Sequence, residues 1–229
     1  MPLLDAAALA FFVVCWLFYE PLLKASFHGS VLNTDMAVIR AGWMRRMMSR
    51  EGRIMDGQLL GHTINSASFF ASSNLLLIAA AAGALFGGDA TFGSVSRLEI
   101  IRTSSRLLFE GQLALVLITL ARGLLSFIWA IRQLNYLVGI IGAAPENAPP
   151  EFQKTFGDAT AEVLNPALSS FNAGVRAYYF SLAAASWLFG AYAFIAATAG
   201  AVALLAWRQR RSKAADAIRR LRALLDSEP

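Results

Sequence analysis

The sequence predicts an all-α integral membrane protein, a four-helix bundle with long helical extensions and amphipathic loop helices. Of its 229 residues, 57% are hydrophobic and only 15% are charged, and the mean hydropathy is +0.53. A soluble domain carries about a quarter charged residues. No stretch alternates polar and apolar residues over the length of a barrel strand, which favours membrane helices over a membrane barrel. We predict a single membrane domain over residues 1–229.

Four hydrophobic segments are long enough to cross a bilayer, which takes about 20 residues. The first lacks the basic start and the small-residue cleavage site of a secretory signal, so we interpret it as a retained span. The predicted spans cover about residues 3–23, 65–86, 107–131 with a helical continuation to 142, and 177–207, and residues 208–229 form a basic tail.

The loop between the first two spans is basic and has helical periodicity. Asn33, Thr34 and Asp35 offer capping oxygens for a helix start. Two faces then follow, one apolar with methionines and Trp43, the other with Arg46, Arg50 and Arg53. Such a helix suits the membrane surface. The alternative, that it packs on the protein's own loops, stays open.

The loop between the last two spans is acidic. Pro150 suits the first turn of a helix, and the Asn165-Pro166 pair is expected to break or kink that helix. Two spans separate this loop from the basic one, so both lie on the same side of the membrane. The acidic residues that can face the basic loop are Glu146, Glu151, Asp158 and Glu162.

The basic loop and the basic tail are separated by three predicted spans, which places them on opposite sides of the membrane. Positive residues normally gather in the cytoplasm. The first span is followed by Lys24 and preceded by no Lys or Arg. This favours an N-terminus outside the cell and a cytoplasmic first loop, but it leaves the basic tail on the other side.

The third span carries a narrow polar stripe. At about 100° per residue, its members fall within roughly 80° of one another, and a charge at the bilayer centre costs about 3 to over 10 kcal/mol. We therefore predict that the stripe faces protein or water, and that Arg122 finds Glu20, a backbone carbonyl or an anion as acceptor. The predicted intramembrane seam consists of Gln112, Thr119, Arg122 and Ser126, with Gln133 further along the same stripe.

Spans two and four have patterned faces of their own. Polar residues on one half of the second span suggest that it packs against the polar seam of the third. These residues are His62, Asn65, Ser66, Ser72 and Ser73. Small residues of the fourth span repeat with a 4-3-4-3 spacing, which is typical of close helix contacts within or between chains. They are Ser186, Gly190, Ala193, Ala197 and Gly200.

No motif for catalysis, nucleotide binding or a metal cluster is present in the chain. There is no G-x-x-x-x-G-K-[ST], H-E-x-x-H or C-x-x-C. We therefore predict no enzymatic activity, no metal and no cofactor. The net charge of +5 lies beside hydrophobic segments, which indicates lipid headgroups rather than nucleic acid.

Several phrases of the sequence resemble a known family when taken together: "WMRRMMSREGRIMDGQLLG", "SASFFASS", "FIWAIRQLNYLVGIIGAAP" and "FNAGVRAYYFSLAAASWLFG". They resemble an uncharacterised family of four-span bacterial membrane proteins with plant relatives, a domain of unknown function. The resemblance implies the four-span fold and no activity. Arg122 is not among its phrases. The family pattern points to a polar cluster at span ends, formed by Arg53, Asp56, Arg132, Gln133, Asn135, Tyr136 and Arg176.

Such a cluster suits an anion or headgroup site, or it holds the long helices in register. The leading functional hypothesis is an inner-membrane, multi-pass protein that forms a small-solute or ion conduit, or its accessory subunit. The alternative is a membrane scaffold that binds lipid headgroups or partner proteins through its basic helices. The expected partners are the bilayer, anionic lipid and further copies of the chain.

Overall fold

The computed structural model describes residues 3–25, 32–96 and 105–227, which form helices and no strand. The side chain of Lys24 lies outside the described part. In chain order the helices are α1 Leu3–Ala25, α2 Leu32–Met48, α3 Ile54–Phe86, α4 Gly88–Ser96, α5 Arg106–Ala143, α6 Pro150–Ala185, α7 Ala191–Arg210 and α8 Lys213–Asp226, with a 3₁₀ turn at Ser186–Phe189 between α6 and α7.

Four helical segments are long and apolar enough to cross a membrane. They begin at Leu3, Ile54, Arg106 and Ala191, so the all-α membrane fold is confirmed. The first three predicted spans lie within α1, α3 and α5. The predicted continuation of the third span to residue 142 is also confirmed, because α5 runs unbroken to Ala143.

The chain is organised as two compact units, each assembled from three separate segments of sequence. The first unit contains residues 1–28, 72–125 and 174–206, and the second contains 29–71, 126–173 and 207–229. Six helical segments therefore belong to the first unit: α1, the end of α3, α4, the start of α5, the end of α6 and most of α7.

The core of the first unit is aromatic. Phe12 on α1 is fully buried, and its ring lies 5.9 Å from that of Phe180 on α6 and 5.0 Å from that of Phe194 on α7. Phe180 and Phe194, which are 14 positions apart in the sequence, thus contact the same residue of α1. The chain therefore reverses between α6 and α7, and these two helices form a hairpin.

The turn of this hairpin corrects the prediction of one continuous fourth span over 177–207. Gly190 ends the 3₁₀ turn with φ +107°, a conformation that glycine adopts without a steric cost. Ser186 and Gly190 therefore do not share a helix with the other three small residues. The prediction of one small-residue seam on a single helix is also wrong. The residues of α7 that are buried are Ala191, Phe194, Thr198, Ala201 and Leu205.

The core of the second unit joins α2, α3, α5 and α6. Met44 and Met47 of α2 pack with Leu134 and Leu137 of α5 in one buried cluster. The methionine face of α2 is therefore covered by the protein's own helices. Of the two alternatives for the first loop, the structure shows the helix that packs on the protein itself. Helix α2 packs on other helices, however, and not on loops.

Helix α6 starts at Pro150, as predicted, and it continues through Pro166 without a break. The prediction of a break there is wrong. Asn165 is held by α2, since its amide nitrogen donates to the Ala37 carbonyl and its side-chain oxygen accepts from Arg40, both at 3.4 Å. Tertiary contacts thus override the local preference against helix before proline.

The acidic loop faces the basic loop, as predicted. Arg45 Nε of α2 lies 2.5 Å from Asp158 Oδ1 of α6. Both side chains are more than a third exposed, so the pair adds little stability by itself.

The basic tail also belongs to the second unit, where α8 packs on α2. Arg222 Nη1 donates to Asp35 Oδ1 at 2.7 Å, and Asp35 is only 1% exposed. The hydrogen bond to Asp35 raises the pKa of Arg222, and the attraction of Asp226 and Asp35 acts in the same direction. Asp35 thus holds α8, and α2 begins three residues earlier, at Leu32.

This contact corrects the prediction that the first loop and the tail lie on opposite sides of a membrane. Two helices joined by a direct hydrogen bond lie on the same side. Residues 177–207 are not one helix, because the end of α6 and α7 form a hairpin within the first unit.

Candidate functional site

The corner between α2 and α3 holds a buried carboxylate. Asp56 lies in the first turn of α3, where the helix dipole favours an anion, and it is fully buried. Trp43 Nε1 donates to Asp56 Oδ1 at 2.6 Å, and Arg50 Nη1 donates to the same oxygen. The second carboxylate oxygen of Asp56 is buried without a hydrogen-bond partner.

Arg53 ties this corner to the end of α5. Its Nη1 donates to the carbonyl of Ala144 and its Nη2 donates to that of Pro145 at 2.8 Å. These two carbonyls follow directly after the negative end of the α5 dipole, where a cation is favourable.

A polar pocket of about 290 Å³ opens beside this corner, entirely within the second unit. We call it the corner pocket. One side comes from the connection between α2 and α3, and the other comes from the connection between α5 and α6 and the first turn of α6. Its lining residues are Met48, Ser49, Arg50, Glu51, Arg53, Glu146, Asn147 and Gln153.

The remaining residues of the predicted polar cluster do not join the corner pocket. Arg132 Nε donates to the hydroxyl of Tyr136 at 2.6 Å on the exposed side of α5. Gln133 is buried on another face, where its amide reaches the carbonyl of Trp129 at 3.3 Å and Ser170 Oγ at 3.5 Å. Asn135 is exposed.

Arg176, the last member of that cluster, belongs to the first unit. Its Nη2 donates to Glu20 Oε1 at 2.5 Å, and its guanidinium lies 5.8 Å from the ring centre of Tyr19. The prediction of one seven-residue cluster is therefore wrong. Only Arg53 and Asp56 share a corner, because residues near helix ends still lie on different faces of their helices.

The predicted seam of α5 is divided as well. Gln112 is buried and donates to the Trp187 carbonyl at 3.1 Å. Thr119 is fully buried and donates to carbonyls of its own helix. For these two the prediction of an interior position is confirmed, whereas Ser126 is half-buried in the second unit.

Arg122 does not follow the seam prediction, because its side chain is exposed on the surface of the protein. Its guanidinium lies 5.1 Å from the ring centre of Trp16 on α1, a cation–π contact. Glu20, one of the acceptors considered for it, binds Arg176 instead. An 80° stripe is wide enough for Thr119 to point inward while Arg122 lies on the flank.

The polar side of α3 does not pack against the seam of α5, so that prediction is wrong. His62, Asn65 and Ser72 are exposed. The interior side of α3 instead carries small residues and Asn74, which no predicted polar face includes. Asn74 is buried, and its amide donates to the Leu120 carbonyl at 3.0 Å. Its amide directly before a long apolar run was the available signal in the sequence.

A further buried carboxylate, at the start of α1, was also missed. Asp5 at the start of α1 is 9% exposed and accepts from Trp187 Nε1 at 2.8 Å. Gln112 holds the carbonyl of the same tryptophan. The hairpin turn is thus fixed to α1 through its indole and to α5 through its backbone.

No curated protein and no solved structure matches the chain significantly. A family model described as "Protein of unknown function, DUF599" matches residues 7–214. The match covers nearly the whole chain and overlaps all four apolar segments. It confirms the resemblance to a membrane-protein family of unknown function. The chain therefore belongs to this family, DUF599.

Proposed function

We propose that the protein is a non-enzymatic membrane scaffold that binds anionic lipid headgroups through the outward face of α8. One observation carries this proposal. Helix α8 is fixed to α2 by one side, through Ala215 and Arg222, and its opposite side combines basic and large apolar residues. We define this outward face as Lys213, Ala217, Arg220, Leu221 and Leu224.

The outward face has the composition of a helix that lies in a membrane interface. Leu221 is 54% exposed and Leu224 is 63% exposed, although exposing large apolar side chains to water is unfavourable. At about 100° per residue, Lys213 and Arg220 lie beside them on one edge of this face, and all four residues fall within roughly 100°. A helix with such a face binds anionic bilayers through apolar burial and charge together.

Chain connectivity supports the same assignment. Helix α7 is a candidate membrane span, and only two residues separate it from α8. Trp207 near the end of α7 is 55% exposed, and tryptophan is enriched at the level of the headgroups. Helix α8 therefore starts close to where the chain leaves the bilayer.

We further infer five membrane crossings. The first loop and the tail share a side, so an even number of crossings separates α2 from α8. Helices α3, α5 and α7 supply three, and the end of α6 supplies the fourth of these crossings. With α1 the total is five. The basic residues of the loop and tail then gather in the cytoplasm of an inner-membrane protein, with the N-terminus outside.

The lipid proposal is tested by a fluorophore at A217C on a C15A background, in nanodiscs that contain brominated lipid. We expect brominated phosphatidylglycerol to quench it more strongly than brominated phosphatidylcholine. R220E should reduce the affinity for the anionic lipid by roughly tenfold or more, since each basic residue near the surface contributes about 1 kcal/mol. K154E, at an exposed lysine of α6, should have little effect. Equal quenching by both lipids would contradict the proposal.

A conduit between several copies of the chain is the second candidate. The observation that favours it is the exposed polar side of α3, because polar groups on a span need protein or water beside them. A homo-oligomer would supply both. This candidate expects ion or solute flux in liposomes that N65L abolishes, whereas the scaffold expects no flux from any variant.

A further inference from the structure

The corner pocket combines two kinds of charged group. Glu51 and Glu146 are exposed carboxylates that line it, and neither forms an ion pair with another residue that the structure describes. Arg50 and Arg53 line the same pocket. Both signs of charge are therefore presented to a molecule that enters.

The two arginines differ in which guanidinium nitrogens already form hydrogen bonds. Arg50 uses Nη1 for Asp56, which leaves its Nε and Nη2 for another acceptor. Arg53 uses both terminal nitrogens for backbone carbonyls, while its Nε is buried without a hydrogen-bond partner. The donors that an acidic group in the pocket can reach are therefore those of Arg50, and the guanidinium of Arg53 adds positive charge beside them.

We propose that the corner pocket binds a small zwitterion that carries one ammonium group and one acidic group. The ammonium group lies against Glu51 and Glu146, and the acidic group accepts from Arg50 beside the positive charge of Arg53. An anion alone would meet the two carboxylates, and a cation alone would meet the two guanidinium groups. Only a molecule with both charges pairs with the carboxylates and with the guanidinium groups.

The volume fits this class of ligand. The pocket measures about 290 Å³, at the lower limit of the roughly 300–1,000 Å³ that drug-sized ligands occupy. An amino-acid-sized solute or the ethanolamine phosphate headgroup of a lipid has the required size and both charges. These two sources present the same chemistry to the pocket.

The test titrates O-phosphoethanolamine into the whole protein in phosphatidylglycerol nanodiscs, with heat measured by calorimetry. We expect it to bind at least tenfold more tightly than ethanolamine or inorganic phosphate. Ethanolamine has only the ammonium group, and phosphate has only the acidic group. Failure of O-phosphoethanolamine to bind at millimolar concentration would overturn the proposal. Equally tight binding of phosphate alone would also overturn it.

A pair of matched variants tests the pocket itself. E51Q/E146Q removes the two carboxylates and should weaken the binding of O-phosphoethanolamine at least tenfold. E151Q/E162Q changes the net charge equally at exposed positions outside the lining, and it should bind like the original protein. Thermal unfolding confirms that both variants fold. Equal affinities of the two variants would assign the binding to another site.

Nanodiscs of phosphatidylethanolamine distinguish the two sources. If a lipid headgroup occupies the pocket, the soluble probe competes with it and binds more weakly in these nanodiscs than in phosphatidylglycerol. If the ligand is a free solute, the affinity is the same in both. Each result supports the zwitterion site and names its source.

Discussion

Replacing Arg222 with alanine is expected to release α8 from α2 and to lower the free energy of unfolding by about 2–4 kcal/mol. The substitution removes the guanidinium that binds Asp35, a carboxylate that is only 1% exposed. Breaking a buried ion pair from one side costs about 3–5 kcal/mol. Because Arg222 is itself 33% exposed, solvent screens part of the interaction and we expect a smaller value.

Hydrogen exchange of the α8 amides and thermal unfolding in detergent measure this effect. The matched control is R220A, two positions away on the outward face, where a surface substitution changes stability by less than about 0.5 kcal/mol. D35N should restore part of the stability of R222A, because it removes the buried charge. If R222A and R220A exchange at the same rate, Asp35 does not hold α8.

Replacing Gly157 with alanine is expected to lower the free energy of unfolding by about 1–3 kcal/mol, the usual cost of overpacking. A Cβ atom there would lie 2.7 Å from the Cα of Arg45 and 2.9 Å from its backbone nitrogen. Backbone atoms of α2 cannot move aside without moving the helix. Helix propensity alone predicts the opposite, a gain of up to about 1 kcal/mol.

The control is G139A on α5, where an added Cβ meets no atom within 4 Å. This variant should be neutral or slightly stabilised by the same propensity. The measurement is the unfolding temperature of both variants in one detergent. A stabilising effect of G157A would show that α2 and α6 do not approach as closely as the structure has them.

Hydropathy was sufficient to predict the membrane helices whose ends are marked by charge or by polar loops. Helix α5 is an example, since basic and polar residues mark its start and a proline-containing loop follows its end. The loop-to-loop charge pairing was also predictable, because two spans separate the two loops. Arg45 and Asp158 confirm it.

The hairpin between α6 and α7 could not be read from hydropathy. Residues 177–207 carry no charge, and an apolar segment looks the same whether the chain continues or reverses. Gly190 was the local signal, but a glycine in such a segment also suits a helix contact. The reversal depends on Trp187, whose indole is bound by Asp5 from 182 positions away.

The candidate site was predictable only in part, for a related reason. Arg53 and Asp56 were singled out at the correct corner. The pocket beside them needs Glu146 and Gln153, which approach only when α5 and α6 pack on α2 and α3. The partner of Asp35 is likewise Arg222, at the other end of the chain. Periodicity within one helix carries no information about such distant pairs.

Cysteine labelling from one side of the membrane tests most directly the claim that the first loop and the tail meet. On a C15A background, single cysteines are placed at the exposed positions Leu3, Arg46 and Arg220, and a membrane-impermeant maleimide is added to sealed vesicles. We expect R46C and R220C to react from the same side and L3C to react from the opposite side. Reaction of R46C and R220C from opposite sides would contradict the contact between α2 and α8 and the five crossings inferred from it.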